Sequence, residues 1–228
     1  MTRYLTVAAH PDDEVLGCGA TMARLSQRGD EIHVVILGQG VMSRYDGDPA
    51  HAQSELDRLR EQSREAAAAI GVSSIELEAL PDNRFDQVAL LDIVKMVETH
   101  INRLEPDVVF THHHSDLNVD HRLTCQAVVT AARTVPGQKI RDVYSFEVPS
   151  ATEWSFGATG GQFQPNMFVN VSETMPAKLD AMSKYTAEVR QFPHPRSKRA
   201  LEATAARWGS VAGMGAAEAF VIVRSLRK

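Results

Sequence analysis

Short apolar runs alternate with longer amphipathic stretches through the first 135 residues. The runs with the length and bounding residues of buried strands are residues 4–9, 32–37, 75–80 and 108–111. The stretches with helical spacing are residues 17–28, 51–70 and 88–104, and the second ends beside a C-cap candidate, Gly71. Because strands alternate with helices, the pattern predicts βαβ units and a parallel sheet with right-handed crossovers.

The pattern becomes less regular after Pro136. It predicts strands at residues 143–148, 167–171 and 219–223 and helices at residues 177–189 and 197–207. The Gly-rich and polar stretch 150–164 is typical of a long loop over a ligand site rather than a domain linker. With 228 residues, 43% of them hydrophobic, the chain can bury one substantial core. We therefore expect an α/β fold, a mainly parallel β-sheet flanked by helices, in a single domain over residues 1–228.

The composition narrows the classes of partner and compartment. The formal net charge is -5 and the basic residues are scattered, which disfavours nucleic acid as the partner and leaves an anionic small ligand compatible. The first apolar run is too short for a signal-peptide core, and no stretch approaches the ~18 apolar residues of a membrane span. Cys18 and Cys125 form no disulfide framework or thiolate zinc motif. We expect a cytoplasmic protein, and a homo-oligomer is compatible with the sequence.

A histidine and three consecutive acids, residues 10–14 (HPDDE), directly follow the first predicted strand. Their side chains should project from the carboxyl end of the sheet, where open α/β folds place ligands. The acids need a cationic partner, and a divalent metal bound by an imidazole nitrogen and an aspartate oxygen would provide it. An acid outside the metal's ligands would then accept a proton from the attacking water. The alternative is a solvated acidic turn that caps the helix starting near Gly17.

Four of the nine histidines lie within residues 112–121 (HHHSDLNVDH), between the fourth predicted strand and a helix. Such crowding argues against solvent-facing loop histidines. Catalytic zinc sites commonly use three protein ligands, so one of these histidines would complete a site with His10 and Asp13. His121 is favoured because it begins a helix behind Asp120, whose carboxylate would orient a ligand. Spacing alone does not separate His121 from the other three, which are His112, His113 and His114.

HPDDE after the first strand together with NVDH at residues 118–121 resembles the PIG-L/LmbE-like family of zinc-dependent N-acetylglucosaminyl deacetylases. The resemblance covers most of the chain and implies a Rossmann-like fold. It implies removal of an acetyl group from an N-acetylated amino sugar, a sugar conjugate or a nucleotide sugar. Position by position, it implies zinc ligands at His10, Asp13 and His121 and a general base at Asp12.

The sequence departs from the commoner family motif HPDH, because Asn118 replaces the first histidine. That histidine assists the tetrahedral intermediate in other family members. Asn118 can donate a hydrogen bond to an oxyanion, but it cannot deliver a proton. The general acid therefore stays open between His113, His114, His194 and a proton carried by Asp12 itself.

Three further segments resemble one branch of the family: LPDNRFD at residues 80–86, FEVPSATEW at 146–154 and FPHPRS at 192–197. The candidate substrate-binding residues are Arg60, Asp82, Asn83, Arg84, His113 and His114. A turn with an internal salt bridge and an exposed helical arginine are the alternatives. His194 lies between two prolines, which favours placement of its imidazole near a site, and a plain surface loop is the competing interpretation.

The remaining conspicuous residues favour structural roles. Trp154 and Trp208 could stack on a sugar ring, but we expect each to pack in the core. We expect Cys18 to be a small buried residue rather than a nucleophile.

Other functional classes fit the residues less well. Gly17 and Gly19 give the GxG of a dinucleotide-binding oxidoreductase, but Met22 occupies the third glycine position. A non-catalytic metal or sugar-binding protein would be expected to lack the base, whereas Asp12 is present. Two-metal phosphoesterases usually need more ligands than three. A metallohydrolase of another amide or ester bond stays open, because a fold and site define the reaction class better than the substrate.

Overall fold

A computed structural model of the chain describes residues 1–40 and 49–227. The strands are β1 (Arg3–Ala8), β2 (Glu31–Gly38), β3 (Ser74–Leu80), β4 (Val108–His112), β5 (Asp142–Phe146), β6 (Met167–Asn170) and β7 (Ala217–Ser225). The helices are α1 (Asp13–Gln27), α2 (Pro49–Ala69), α3 (Leu90–Leu104), α4 (Val119–Ala131), α5 (Met175–Lys184) and α6 (Lys198–Ala212). Two short 3-10 turns lie at Phe85–Gln87 and Glu153–Ser155.

The strands form one seven-stranded sheet in the order β3-β2-β1-β4-β5-β7-β6. Strands β1 to β5 pair in parallel, and β7 runs antiparallel to both β5 and β6. The strand order reverses between β1 and β4, so the loops that leave their carboxyl ends diverge and open a crevice. The predicted α/β fold with a mainly parallel, helix-flanked sheet is confirmed.

The core consists of two apolar layers, one on each face of the sheet. Leu5 and Val7 of β1 join the layer that packs under α3 and α4, whereas Ala8 joins the layer that packs under α1 and α2. Because the central strands are covered on both faces, their sequences are continuous apolar runs rather than alternating ones. Among the described residues, no helix combines the length and the apolar composition that a bilayer crossing requires.

Helix α1 begins four residues before the predicted start at residue 17. The backbone turns at Asp12, which has a φ of 103°, and the amide of Leu16 donates to the Asp12 carbonyl at 2.9 Å. Asp13 and Glu14 therefore lie in the first helical turn, where the helix dipole favours negative charge. The Asp12 side chain makes no capping hydrogen bond, so the acidic segment is not a simple helix cap.

Helix α1 is interrupted at Cys18, whose φ of -145° and ψ of 20° are not helical. The buried Glu218 of β7 accepts hydrogen bonds there from the amides of Ala20 (3.2 Å) and Thr21 (2.7 Å). Lys178 of α5 completes the contact, because its Nζ lies 2.6 Å from Glu218 Oε1 and 2.7 Å from the carbonyl oxygen of Leu16. A buried ion pair thus satisfies the backbone groups that the break exposes.

Packing explains the GxG spacing in α1. A Cβ atom built on Gly17 would lie 2.2 Å from the ring of the fully buried Phe146, so only glycine fits there. Helix α5 ends at Lys184, five residues before the predicted residue 189, because the chain leaves the helical conformation at Tyr185. The Tyr185 ring is fully buried, and its hydroxyl reaches Glu14 of α1.

Candidate active site

Three side chains converge at the carboxyl ends of β1 and β4. His10 Nδ1 lies 3.3 Å and His121 Nε2 lies 3.2 Å from Oδ2 of Asp13. One ligand atom from each of the three residues lies within 4.8 Å of the others, a spacing that a single metal ion would bridge. His10 follows β1, Asp13 begins α1 and His121 lies in the first turn of α4, so the strand-order reversal brings them together.

A carboxylate holds the second nitrogen of each imidazole. His10 Nε2 lies 2.9 Å from Asp120 Oδ2, and His121 Nδ1 lies 3.2 Å from Asp116 Oδ1. The hydrogen bond to Asp120 fixes a proton on His10 Nε2 and turns Nδ1 toward Asp13. The Asp116 contact leaves His121 Nε2 facing Asp13, so both rings have the carboxylate neighbour that is typical of metal-binding histidines. Asp120 is itself fixed, because its Oδ1 accepts a hydrogen bond from the amide of Phe85 at 2.9 Å.

His10 also converges with Asp82 and Asp120, but through its Nε2 atom. An ion at that group would have to displace the Nε2 hydrogen bond to Asp120. The group formed by His10, Asp13 and His121 therefore suits a metal better, with Asp120 as the carboxylate that orients His10.

The neighbouring carboxylates raise the pKa values of the two histidines and so favour their protonated, positively charged forms. Burial lowers the pKa of His10, but hydrogen bonds to Asp120 and Asp13 outweigh it and raise that pKa to about 10. Burial likewise lowers the pKa of His121, and Asp13 and Asp116 raise it to about 9. Burial raises the pKa of Asp13, yet the neighbouring His121 holds it well below its usual value. A bound divalent cation would satisfy the same negative field.

His112 is excluded as a ligand by its own hydrogen bond. Its Nε2 accepts from the amide of Ala9 at 2.8 Å, and burial lowers its pKa to about 3, so the ring is neutral. The ring stacks on His121, with the two centroids 4.0 Å apart. His112 thus packs against the His121 ring and restricts its rotation.

Asp12 lies beside the three converging side chains and pairs with an arginine. Nη1 of Arg196 lies 2.7 Å from Asp12 Oδ2 and 3.0 Å from Glu188 Oε2, and its Nε donates to Ser150 Oγ at 2.8 Å. Burial raises the pKa of Asp12 well above its usual value, and the guanidinium charge opposes that shift. The left-handed backbone at Asp12 is uncommon for a residue other than glycine, and such conformations cluster at functional sites.

Glu14, the third acid of the segment, faces the interior. Its carboxylate accepts from the hydroxyl of Tyr185 at 2.5 Å and from the amide of Asp12 at 3.1 Å. Burial raises the pKa of Glu14 to about 7. Glu14 therefore supports the strained turn at Asp12 and does not reach the cavity.

A cavity of about 380 Å³ opens onto this group. The lining residues are His10, Pro11, Asp12, Asp13, Gly40, Asp82, Asn83, Leu117, Asn118, Val119, His121, Ser150, Ala151, Trp154, Glu188 and Arg196. Part of the predicted loop at 150–164 forms one wall. This volume accommodates a small molecule and suits a concave, polar binding site.

The Asn118 side chain caps a helix and also lines the cavity. Its Oδ1 accepts from the amide of Asp120 at 2.8 Å and so caps α4. Its Nδ2 donates to Asn83 Oδ1 at 3.1 Å, and both side chains line the cavity. Asn118 thus caps α4 and lines the cavity with the same side chain.

The structure brings some of the sequence candidates into the cavity wall and places others elsewhere. Asp82 and Asn83 line the cavity, whereas Arg84 is exposed beside it. Arg60 lies in a separate depression with Arg64 and residues of β3, and pairs with Asp57. His113 is buried against Phe163, and His114 faces a groove along α4. His194 stacks edge-on behind Trp154, and its Nδ1 accepts from the Arg196 amide at 3.1 Å.

Arg196, Glu188, Ser150 and Trp154 are cavity residues that the sequence reasoning did not select. Arg196 lies two residues after His194 in the segment FPHPRS, so that segment carried the signal and the choice within it differed. Trp154 was expected in the core, but 41% of it is exposed and it forms a cavity wall. Trp208 and Cys18 are buried, as expected.

Comparisons with known proteins agree with the geometry. The family model described as PIG-L: GlcNAc-PI de-N-acetylase matches residues 5–132. A protein described as uncharacterized deacetylase YaiS from Escherichia coli is 34% identical over 187 residues, which is 79% of this chain and 89% of that protein. The diacetylchitobiose deacetylase of Thermococcus kodakarensis is 27% identical over 200 residues, covering 84% of this chain and 70% of its own.

A solved structure with a different named activity has a similar fold. The structure of GalB, the 4-carboxy-2-hydroxymuconate hydratase from Pseudomonas putida KT2440, superposes with a TM-score of 0.77. The match has 22% sequence identity and covers 100% of this chain and 98% of that one. At this identity the likeness establishes the fold alone, so the residues of the site must define the chemistry.

The Rossmann-like sheet brings His10, Asp13 and His121 together beside Asp12 at its carboxyl edge. The chain belongs to the PIG-L family. Within that family it is a hydrolase of the deacetylase class, acting on an N-acetyl amide bond.

Proposed function

We propose that the protein is a zinc-dependent enzyme that removes the acetyl group from an N-acetylated amino sugar or sugar conjugate. The observation that carries this proposal is the convergence of His10, Asp13 and His121 beside Asp12 at one end of the cavity. Family membership and the named deacetylase relatives support the same reaction.

The donor set fits zinc. Two imidazole nitrogens and one carboxylate oxygen match the three-ligand set of catalytic zinc sites, and Asp120 and Asp116 orient the imidazoles. When bound there, zinc would supply a Lewis acid that polarises a carbonyl group and makes water more acidic.

Asp12 is proposed as the general base. Arg196 contacts its Oδ2 atom. Asp12 lies beside the proposed ligand Asp13 at the bottom of the cavity. Asp12 takes a proton from the attacking water as oxygen bonds to the acetyl carbon. The Arg196 contact keeps the carboxylate in one orientation, which lowers the entropic cost of that step.

The remaining steps use Asn118 and Asp12. Asn118 Nδ2 faces the cavity and is proposed to donate a hydrogen bond to the developing oxyanion. Among the described lining residues, the histidines are His10 and His121, both assigned to the metal. We therefore assign the return of the proton to Asp12, which protonates the leaving nitrogen as the carbon–nitrogen bond breaks. Acetate and the free amine are the products.

The test is release of acetate from N,N'-diacetylchitobiose by the zinc-loaded protein. Asp12→Asn should lower kcat by about 100-fold or more at unchanged zinc content, because a positioned base contributes roughly 10²–10⁴-fold. Asp86→Asn is the matched control, since Asp86 is exposed in the 3-10 turn outside the cavity lining. Undiminished turnover by Asp12→Asn would overturn the assignment of the base.

A further inference from the structure

The cavity wall combines an aromatic surface with polar groups suited to hydroxyls. Trp154 lines the cavity with 41% of its surface exposed, and His194 packs edge-on behind it with the ring centroids 5.8 Å apart. Asn83, Asn118 and Ser150 present amide and hydroxyl groups around the same space. An indole face beside hydrogen-bonding side chains is suited to a saccharide ring, which has one apolar face and a polar rim.

Outside the group formed by His10, Asp13 and His121, the charge of the cavity wall is predominantly negative. Of the described residues that line that part of the wall, Asp12, Asp82 and Glu188 carry carboxylates and Arg196 carries the guanidinium. The same Nη1 atom of Arg196 contacts both Asp12 and Glu188, at 2.7 and 3.0 Å. A phosphate bound to this guanidinium would therefore also lie close to the carboxylates of Asp12 and Glu188.

Arg122, a neighbouring basic residue, does not contribute to this wall. It donates through Nη1 to the carbonyl oxygens of Asp116 (2.8 Å) and Leu117 (2.6 Å) and lines the groove along α4 instead. The protein as a whole has a formal charge of -5.

From this charge pattern we infer that the substrate is an uncharged or cationic N-acetylated saccharide that packs against Trp154, and that the cavity discriminates against nucleotide sugars and phosphorylated sugars. The inference deepens the proposed function and rests on it. Like charges brought close together disfavour a ligand, whereas a neutral polyol meets no such repulsion at the same carboxylates and can hydrogen bond to them. A free amine on a second sugar would be attracted.

The test compares two ligands that differ in charge at one position: methyl N-acetyl-β-D-glucosaminide and N-acetylglucosamine 1-phosphate. The zinc-loaded enzyme should have a kcat/KM about tenfold or more higher for the methyl glycoside. Glu188→Gln should move the ratio of the two kcat/KM values roughly threefold or more toward the phosphate, because one repelling charge is removed. Glu98→Gln is the matched control, since Glu98 pairs with Lys95 and Arg133, and its ratio should stay at the wild-type value.

Binding to the chelator-treated protein provides a readout that does not depend on turnover. Trp154 and Trp208 are the two tryptophans, so the methyl glycoside should change the indole fluorescence in wild type and Trp208→Phe but not in Trp154→Phe. Equal or tighter binding of the 1-phosphate, or equal or faster turnover of it, would overturn the inference. Preferred binding of the methyl glycoside without acetate release from either ligand would overturn the proposed function and support the inference. Absence of binding by both ligands would overturn the inference as well.

Discussion

Arg196 Nη1 lies 2.7 Å from Asp12 Oδ2, although 184 residues separate the two in the chain. The contact joins the acid that follows β1 to the segment between α5 and α6. Asp12 has a strained backbone and a buried carboxylate, so its side-chain orientation depends on a partner. Arg196 is therefore a positioning residue for the proposed base.

Replacement of Arg196 should reduce turnover more than substrate binding. We expect Arg196→Met to lower kcat about 10- to 100-fold with KM within roughly threefold, because misorientation of the base affects the transition state more than the ground state. Steady-state kinetics with N,N'-diacetylchitobiose would measure this split, and added guanidinium ion should restore part of kcat. Arg199→Met, which removes a cation stacked on Phe192, is the matched control. An unchanged kcat, or a fall in zinc content that accounts for the loss, would contradict the positioning role.

Replacement of Asp120 should weaken metal binding without removal of a ligand. In Asp120→Asn, the amide nitrogen would face His10 Nε2 if the oxygen kept its bond to the Phe85 amide. The favoured histidine tautomer would then place its proton on Nδ1, the nitrogen assigned to the metal. We expect zinc affinity to fall about 10- to 100-fold in competition titrations with a chromogenic chelator. Asp92→Asn, an exposed change on α3, should retain wild-type affinity. Wild-type affinity in Asp120→Asn would refute the orienting role.

Glu14 should make the stability of the metal-free protein depend on pH. Burial raises its pKa from 4.5 in the unfolded chain to about 7 in the folded protein, so the folded state retains a proton that the unfolded state loses. The stabilisation is complete below about pH 4.5 and is lost as pH rises through about 7, with a slope of roughly 1.4 kcal/mol per pH unit. Urea unfolding of wild type and Glu14→Gln across this range would isolate the effect. If the difference between their free energies of unfolding did not vary with pH, the raised pKa would be refuted.

The two glycines of the GxG spacing should respond differently to alanine. In Gly17→Ala the new methyl group would meet the Phe146 ring at 2.2 Å, which should destabilise the protein by about 1–3 kcal/mol. In Gly19→Ala the nearest atom is Val15 Cγ1 at 3.2 Å, a side-chain atom that can shift, so the helix propensity of alanine offsets much of any cost. Thermal unfolding of both variants would provide the comparison. Equal melting temperatures would show that the contact with Phe146 does not restrict residue 17.

Much of the site followed from local sequence because its chemistry is concentrated in two short segments. HPDDE and NVDH each follow a parallel strand, and parallel strands deliver their carboxyl ends to one edge of the sheet. Spacing alone did not separate His121 from its neighbours, and its position behind Asp120 and the family resemblance favoured it. His112 and His113 face opposite sides as β4 ends, one toward His121 and the other toward Phe163. The period-two alternation of a strand predicts that His112 and His113 face opposite sides. It does not identify which side faces the candidate metal group.

Arg196 and Trp154 could not be selected by the same reasoning. Arg196 lies in an irregular segment and Trp154 in a single 3-10 turn, and the path of both is determined by tertiary contacts rather than by a repeating pattern. The burial of Tyr185 ends α5 and turns the following segment toward Asp12, and Ser150 then receives the Arg196 side chain. An arginine or tryptophan on such a segment has no spacing signal that separates a cavity wall from an ordinary surface or core position.

The carboxylate that satisfies the break in α1 belongs to Glu218, which lies 197 residues beyond the Thr21 amide that it accepts from. During synthesis on the ribosome, α1 emerges early and its broken turn lacks this acceptor until β7 has left the exit tunnel. The first turn of α1 carries Asp13, so the geometry of the proposed metal site should be complete only after β7 has been synthesised and has paired with the sheet. Formation of the proposed metal site would then indicate that β7 has joined the sheet.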